Sequence, residues 1–258
     1  MGKTTSEQES ILRRRAYAPL AELLAIQKAD ELEARKGLLV PKDQYIKDHI
    51  PSIEEELNTH FTKLEQRFKK AGHLLQKALH LLSPAEKAPY EKDLLHGLNI
   101  IQLLGTNPSA IENKMTLFTA NTYQEFLGIS NETLLWIYSI GHTFIEEKKG
   151  QEAYAIFHML ISFNSLISDY WIALGFAQNL LKEDLDALNS FSMASLLNPE
   201  SPISRYQSAK IYLHLNQYDD ALAEIEALEE IIKSLNLDQL KASTQTIKNQ
   251  ILMQKSHS

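Results

Sequence analysis

Residues 168–201 read SDYWIALGFAQNLLKEDLDALNSFSMASLLNPES, and the pattern in this stretch returns once before it and once after it. Gly141, Gly175 and Ala209 lie 34 residues apart. Ala153, Ala187 and Ala221 keep the same interval, and so do Phe157, Phe191 and Ile225. A small residue, a second small residue and a bulky one, repeated at a fixed period, describe one helix pair used three times. In each pair the small positions let two helices approach closely, and the bulky position fills the space between units. One such pair cannot cover its own apolar face, so neighbours must stack.

A period of 34 is that of the tetratricopeptide repeat (TPR). The middle unit carries Trp171, Leu174, Gly175 and Gln178 on its first helix, then Ala187, Phe191, Ala194 and Pro199. The first unit has Ile137, Ile140, Gly141 and Phe144, then Ala153, Phe157 and Leu160. The third has Ala209 and Tyr212, then Ala221, Ile225 and Leu228. The repeats span about 134–167, 168–201 and 202–235. Ser130 or Asn131 caps the first helix, with Glu132 and Thr133 in its opening turn. Leu237, Leu240, Ile247 and Ile251 belong to a closing helix over about 236–253 that covers the exposed end of the last unit.

Working outward, residues 1–128 precede the array. A helix is expected from about Ser6 to Lys36, ended by Gly37 and Pro41. Its Arg13-Arg14-Arg15 cluster reads as a solvated face. A second long helix is expected from Pro51 to Leu82, with Glu54, Glu55 and Glu56 complementing the helix dipole at its start. Leu57, Phe61, Leu64, Phe68, Ala71, Leu75, Ala78 and Leu82 then alternate spacings of four and three, an unbroken heptad seam. The seam can pair with the first helix in a hairpin or with a second copy of the chain. Ser83-Pro84-Ala85-Glu86 opens a capped helix to Leu104. Shorter helices follow from Asn107-Pro108 and around Asn121 to Gly128. The expected fold is all-α: an N-terminal helical bundle or hairpin over 1–128, then a three-repeat TPR solenoid with a capping helix over 129–258.

Composition agrees with this. Of the 258 residues 44% are hydrophobic, Gly and Pro are sparse, and helix-forming side chains dominate. The absence of Cys excludes disulfide and thiolate chemistry and fits a reducing cytosol. A net charge of −7 without a strong basic block argues against nucleic acid and anionic membranes as partners. No apolar run approaches the roughly 20 residues of a membrane span, and no signal peptide is visible. Gly2 with Ser6, and Gly2-Lys3-Thr4, echo lipidation and phosphate-loop patterns, but both read as a polar terminus. Enzymatic chemistry is not expected, nor is any cofactor or metal. His73 and His80 are separated by about two helical turns, roughly 10 Å, too far to share one ion. No nucleophile elbow, phosphate loop or zinc signature appears.

Residues 129–251 resemble the class II type III secretion chaperones of bacteria, which protect hydrophobic translocators. Three stretches carry the resemblance. Ser130-Asn131-Glu132-Thr133-Leu134 with Ile137-Tyr138-Ser139 looks like the family's approach to its first repeat. Lys149-Gly150-Gln151-Glu152-Ala153-Tyr154-Ala155-Ile156-Phe157 looks like its first inter-helix turn. Tyr170-Trp171-Ile172-Ala173-Leu174-Gly175 is similar to the aromatic–Leu–Gly stretch of its second repeat. Family members are usually small and carry only a short helical segment before the repeats, so the first 128 residues are a departure. The resemblance implies a cytoplasmic, non-enzymatic chaperone whose concave groove holds an extended segment of a hydrophobic secreted client.

In a TPR unit the first helix lines that groove. The inward positions are Leu135, Tyr138, His142 and Ile145 in the first unit, and Ile172, Phe176 and Asn179 in the second. In the third they are Ile203, Tyr206, Lys210 and Leu213. The mix is apolar and aromatic with a few hydrogen-bonding groups, suited to an extended peptide with spaced apolar anchors. Lys210 stands nearly alone, so the groove is no basic clamp. A structural or assembly protein, with its activity in the N-terminal helices, is the other reading of the seam.

Overall fold

The computed structural model describes residues 22, 25–26, 28–30, 32–35, 37, 39–106 and 122–256; for 57–67, 99–106, 123 and 126 it describes the backbone alone. Most of the helix expected over 6–36, the Arg13–Arg15 cluster and the helix expected from Asn107 lie outside the described residues. So do the side chains of Leu57, Phe61 and Leu64 in the seam. The described residues fall into two compact units, one holding those up to 69 and 99–106, the other 70–98 and 122–256. The described residues form helices and contain no strand.

In the first unit, helix α1 (Lys42–His80, which runs on into the second unit) begins where Lys42 pairs with Asp30 and Glu33. The expected start at Pro51 is corrected: the helix opens nine residues earlier and Pro51 lies inside it. Proline there removes one amide donor, but the other turns of a 39-residue helix remain bonded, so the helix continues through it. Helix α2 (Pro84–Thr106) starts as expected. Pro84 takes the first helical position, the Ser83 amide donates to Glu86 Oε2 at 2.9 Å, and the Glu86 amide donates back to Ser83 Oγ at 3.4 Å. The two groups close a capping box.

The second unit holds the array. Helix α3 (Tyr123–Leu127) is capped by Thr122 and stops at Gly128, whose φ of 65° suits a residue without a Cβ. Then come α4 (Asn131–Glu146) and α5 (Gly150–Phe163), α6 (Ser168–Leu180) and α7 (Asp184–Leu197), and α8 (Pro202–His214) and α9 (Tyr218–Ser234). A 3-10 turn (Asp238–Leu240) leads into α10 (Lys241–Lys255). From α4 to α10 each helix packs on the next, and α4 also touches α6.

The repeated residues do what their spacing requires. A Cβ on Gly141 would lie 2.6 Å from the Phe157 ring, and one on Gly175 would lie 2.7 Å from the Phe191 ring. Both rings and Ile225 are completely buried, as are Ala153, Ala187, Ala209 and Ala221. The turns inside the three pairs also repeat. Lys148, Lys182 and Asn216, again 34 residues apart, have φ of 57°, 62° and 58°. The residue after each donates its amide back to Phe144, Gln178 or Tyr212 at 2.8–3.0 Å, satisfying a carbonyl at the helix end. Buried hydroxyls add polar links between helices: Ser190 donates to Gln178 at 2.6 Å, and Ser195 and Ser204 share a bond of 2.8 Å.

Both ends of the array are covered. Ile247 and Ile251 of α10 are buried against Ala221, Ile225, Leu228 and Ile232, with Leu237 and Leu240 beside them. At the other end, α2 docks on the start of α4. Asp93 Oδ2 accepts hydrogen bonds from the Ser130 amide (3.0 Å), Ser130 Oγ (2.5 Å) and Thr133 Oγ1 (2.6 Å). Ser130 Oγ in turn caps α4 by accepting from the Thr133 amide. Tyr90 stacks on Trp136 with centroids 4.6 Å apart and planes 7° from parallel. Residues 70–98 therefore share the array's compact unit, although they precede the start that the repeat pattern marks at Ile129.

Candidate functional site

Helices α4, α6 and α8 are the first helix of each pair. Glycine at 141 and 175 lets these helices sit close to their partners, so the packing positions are consumed inside each pair. The positions one residue further round the helix are left to face outward.

On α4, Tyr138 and His142 are half-buried. Their rings lie 4.7 Å apart and both meet the edge of Phe157, at 5.7 and 5.9 Å. Tyr170 of α6 comes within 5.7 Å of Tyr138, so the cluster crosses from one unit to the next. Burial, then the Asp169 carboxylate, raises the Tyr138 phenol above its ordinary range. Burial, then Tyr138 and Asp169, pushes Tyr170 up to about 12. Both phenols stay neutral at physiological pH; Tyr170 is buried at 4% exposure, and the half-buried Tyr138 presents an apolar ring with a polar tip. Leu135 is 65% exposed and stands clear of the core, while Ile145 is half-buried.

On α6, Phe176 is half-buried with its ring against the edge of Phe191 at 5.7 Å, and Asn179 is half-buried. Ile172 corrects the sequence expectation. It is 7% exposed and packs with Ala187, Leu188, Phe191, Ala194 and Ile211, so it is a core residue. The reason is that α7 packs on α6 and α8 on α7, which brings Ile211 into the same cluster and which a helical register alone does not show.

On α8, Tyr206, Lys210 and Leu213 are brought together. They form one wall of a pocket of about 430 Å³ whose other wall is Ser243, Thr246, Ile247 and Gln250 of α10. Lys210 Nζ sits 5.8 Å from the centre of the Tyr206 ring. Ile203 is exposed at the start of α8. Of these α10 residues the sequence marks only Ile247, as part of the closing helix; it does not mark Ser243, Thr246 or Gln250. The period would start a fourth unit at 236, but Asn236 turns the chain with φ 53° and α10 begins at Lys241. That offset takes Ser243, Thr246 and Gln250 off the register by which groove positions are read.

The face can therefore offer aromatic rings, aliphatic surface and a few donors and acceptors. Among the described residues no three His, Asp or Glu side chains are grouped to hold a metal ion, and no helix is long and apolar enough to cross a membrane.

No family model matches the chain and no curated protein matches its sequence. Solved structures do match its fold. A type III secretion system complex from Aeromonas hydrophila superimposes with a TM-score of 0.52 at 20% identity, covering 58% of this chain and 99% of that one. The CopN–Scc3 complex matches with a TM-score of 0.44 at 24% identity, over 52% of this chain and 75% of that one. The Yersinia enterocolitica type III secretion chaperone SycD, in complex with a peptide of the translocator YopD, gives 0.46 at 20% identity, over 49% and 98%. Over a little more than half its length, this chain has the all-α, TPR-like fold seen in the Aeromonas type III secretion complex.

Proposed function

We propose that this protein is a non-enzymatic chaperone or adaptor of a bacterial type III secretion system, working in the cytoplasm. It holds an extended segment of a hydrophobic translocator or effector on the α4–α6–α8 face and keeps that client soluble until export. The observation that carries the reading is the face itself. Tyr138, His142, Phe176, Tyr206 and Leu213 recur at equivalent turns of successive first helices, all half-buried, with purely apolar side chains at Phe176 and Leu213 and a polar group on the ring of the other three. A client strand crossing these helices would meet a ring or aliphatic anchor at each, and aromatic anchors of this kind dominate binding energy. The sequence resemblance to translocator chaperones and the shared TPR-like fold point the same way.

The test is co-purification from the native host. The full chain should recover a secreted hydrophobic protein, and a Tyr138→Ala/Phe176→Ala/Tyr206→Ala variant with unchanged helical circular dichroism should lose it. Equal recovery by the folded variant refutes the groove assignment.

The 39-residue length of α1 favours a second reading, in which the N-terminal helices pair two copies of the chain. Light scattering of the full chain across a concentration series decides it, and a monomer throughout rejects it.

A further inference from the structure

The pocket between α8 and α10 has a charge that the rest of its two helices does not leave open. Each other basic side chain on α8 and α10 has a carboxylate partner. Arg205 pairs with Glu224 at 3.0 Å, His214 with Asp184 at 2.9 Å, Lys241 with Asp238 at 2.7 Å, and Lys248 with Glu229 at 2.8 Å. Lys255 pairs with Asp219. Lys210 has no carboxylate partner among the described residues; its contact is the Tyr206 ring. In a chain of net charge −7, where acids outnumber bases, a lysine left unneutralised on the wall of an apolar pocket calls for an explanation.

The rest of the lining is equally suggestive. Tyr206, Leu213 and Ile247 form the apolar part, and Ile247 is 4% exposed, so the floor is fixed by the core. The hydroxyls at the rim have already committed their protons: Ser243 Oγ donates to the Leu240 carbonyl and Thr246 Oγ1 to the Ala242 carbonyl, both at 2.9 Å. Their oxygens keep lone pairs free to accept from a passing peptide amide. Gln250 can donate and accept. At about 430 Å³ the pocket falls within the range of small-ligand sites.

Resting on the peptide-holding reading above, we propose that this pocket selects a client segment in which an aliphatic side chain is followed directly by an acidic one. The aliphatic group enters between Tyr206, Leu213 and Ile247. The carboxylate pairs with Lys210. Backbone amides of the same segment donate to Ser243 and Thr246. The pocket thus sets register: it fixes which residue of an extended client lies at the α10 end of the face.

The probe is a set of acetylated, amidated decapeptide pools with a central Leu-Glu, Leu-Gln or Leu-Lys and randomised flanks. They are retained on the immobilised full chain and counted by mass spectrometry. Wild type should retain Leu-Glu over Leu-Lys by about three- to tenfold, the scale of a partly exposed ion pair replaced by a repulsion. Lys210→Glu should reverse the order and Lys210→Met should level it. Because Lys210 is exposed, neither change disturbs the core. Equal retention of all pools by wild type, retention of none, or a Leu-Glu preference that survives Lys210→Glu would each overturn the proposal. If all pools are retained equally and the triple groove variant loses them, peptide holding stands and only the acidic preference fails. If none is retained and the triple variant still recovers its client, the groove reading falls as well.

Discussion

Replacing Gly175 with Ala should destabilise the array, although alanine is the better helix former. Two terms oppose each other. In a helix interior Gly→Ala alone gains about 1 kcal/mol. Here the new methyl would lie 2.7, 2.8 and 3.0 Å from three atoms of the Phe191 ring. That ring is completely buried, with Ile172, Ala187, Leu188, Ala194 and Ile211 in the same cluster, so it has little room to withdraw. Overpacking of this kind costs about 1–3 kcal/mol, leaving a net loss of about 1 kcal/mol. The chain carries its own compensated version. Where the third unit has alanine at the glycine position (Ala209), it has Ile225 where the other two have phenylalanine. Phe191→Ile should therefore relieve the clash, at its own cost of about 1–2 kcal/mol for lost volume. In that background Gly175→Ala should become stabilising by about 1 kcal/mol, giving a coupling of about 1–3 kcal/mol across the cycle. Urea unfolding of the full-length wild type, two single variants and the double variant, followed by far-ultraviolet circular dichroism, measures it. Additivity within about 0.5 kcal/mol, or stabilisation by Gly175→Ala alone, would refute the claim that the glycine is there to admit the ring.

Two other perturbations probe the end of the array and its turns. Asp93→Asn should cost about 1 kcal/mol, since it removes the charge behind three hydrogen bonds at a partly exposed site. Burial pushes the Asp93 carboxyl upward, but the bonds from Ser130 and Thr133, with Lys92 nearby, outweigh it and hold the group below the usual carboxylate range. Its contribution is thus present above about pH 3.9, the unfolded carboxylate value, and is lost as pH falls through the lower folded value. Acid titration of wild type against Asp93→Asn should show that loss in the wild type alone; superimposable acid limbs would contradict it. Lys182→Gly should stabilise the α6–α7 turn by about 0.5–1 kcal/mol, because the backbone there has φ 62° and a side chain is strained in that region. A lower urea midpoint for this variant would contradict the strain.

Much of the fold was legible because it repeats. Gly141 and Gly175 meet Phe157 and Phe191, Ser130 caps α4, Ser83 and Glu86 close a capping box, and Ile247 and Ile251 cover the last unit, all at positions that short-range spacing marks. The left-handed residues inside the inter-helix turns were not marked, since Lys148 and Lys182 are not turn-forming residues; the strain there is held by the helices on either side. The start of α1 was misplaced because proline is favoured at a helix's first turn, yet a long helix carries Pro51 inside it. Of the candidate face, Tyr138, His142, Phe176, Tyr206, Lys210 and Leu213 are accessible to differing degrees, whereas Ile172 is claimed by the core.

The sequence alone determined the periodic part of this protein: helix pairs at a 34-residue interval, their packing residues and the caps that begin them, because those depend on contacts within one unit or between adjacent ones. Tertiary structure decided what closes the array at its first end and what faces Lys210 at its last. Asp93 reaches Ser130 across 37 residues, and α10 arrives off the period to build half of the Lys210 pocket. Contacts between segments distant in the chain and different in pattern leave no period to read, so only their packing in space brings them to view.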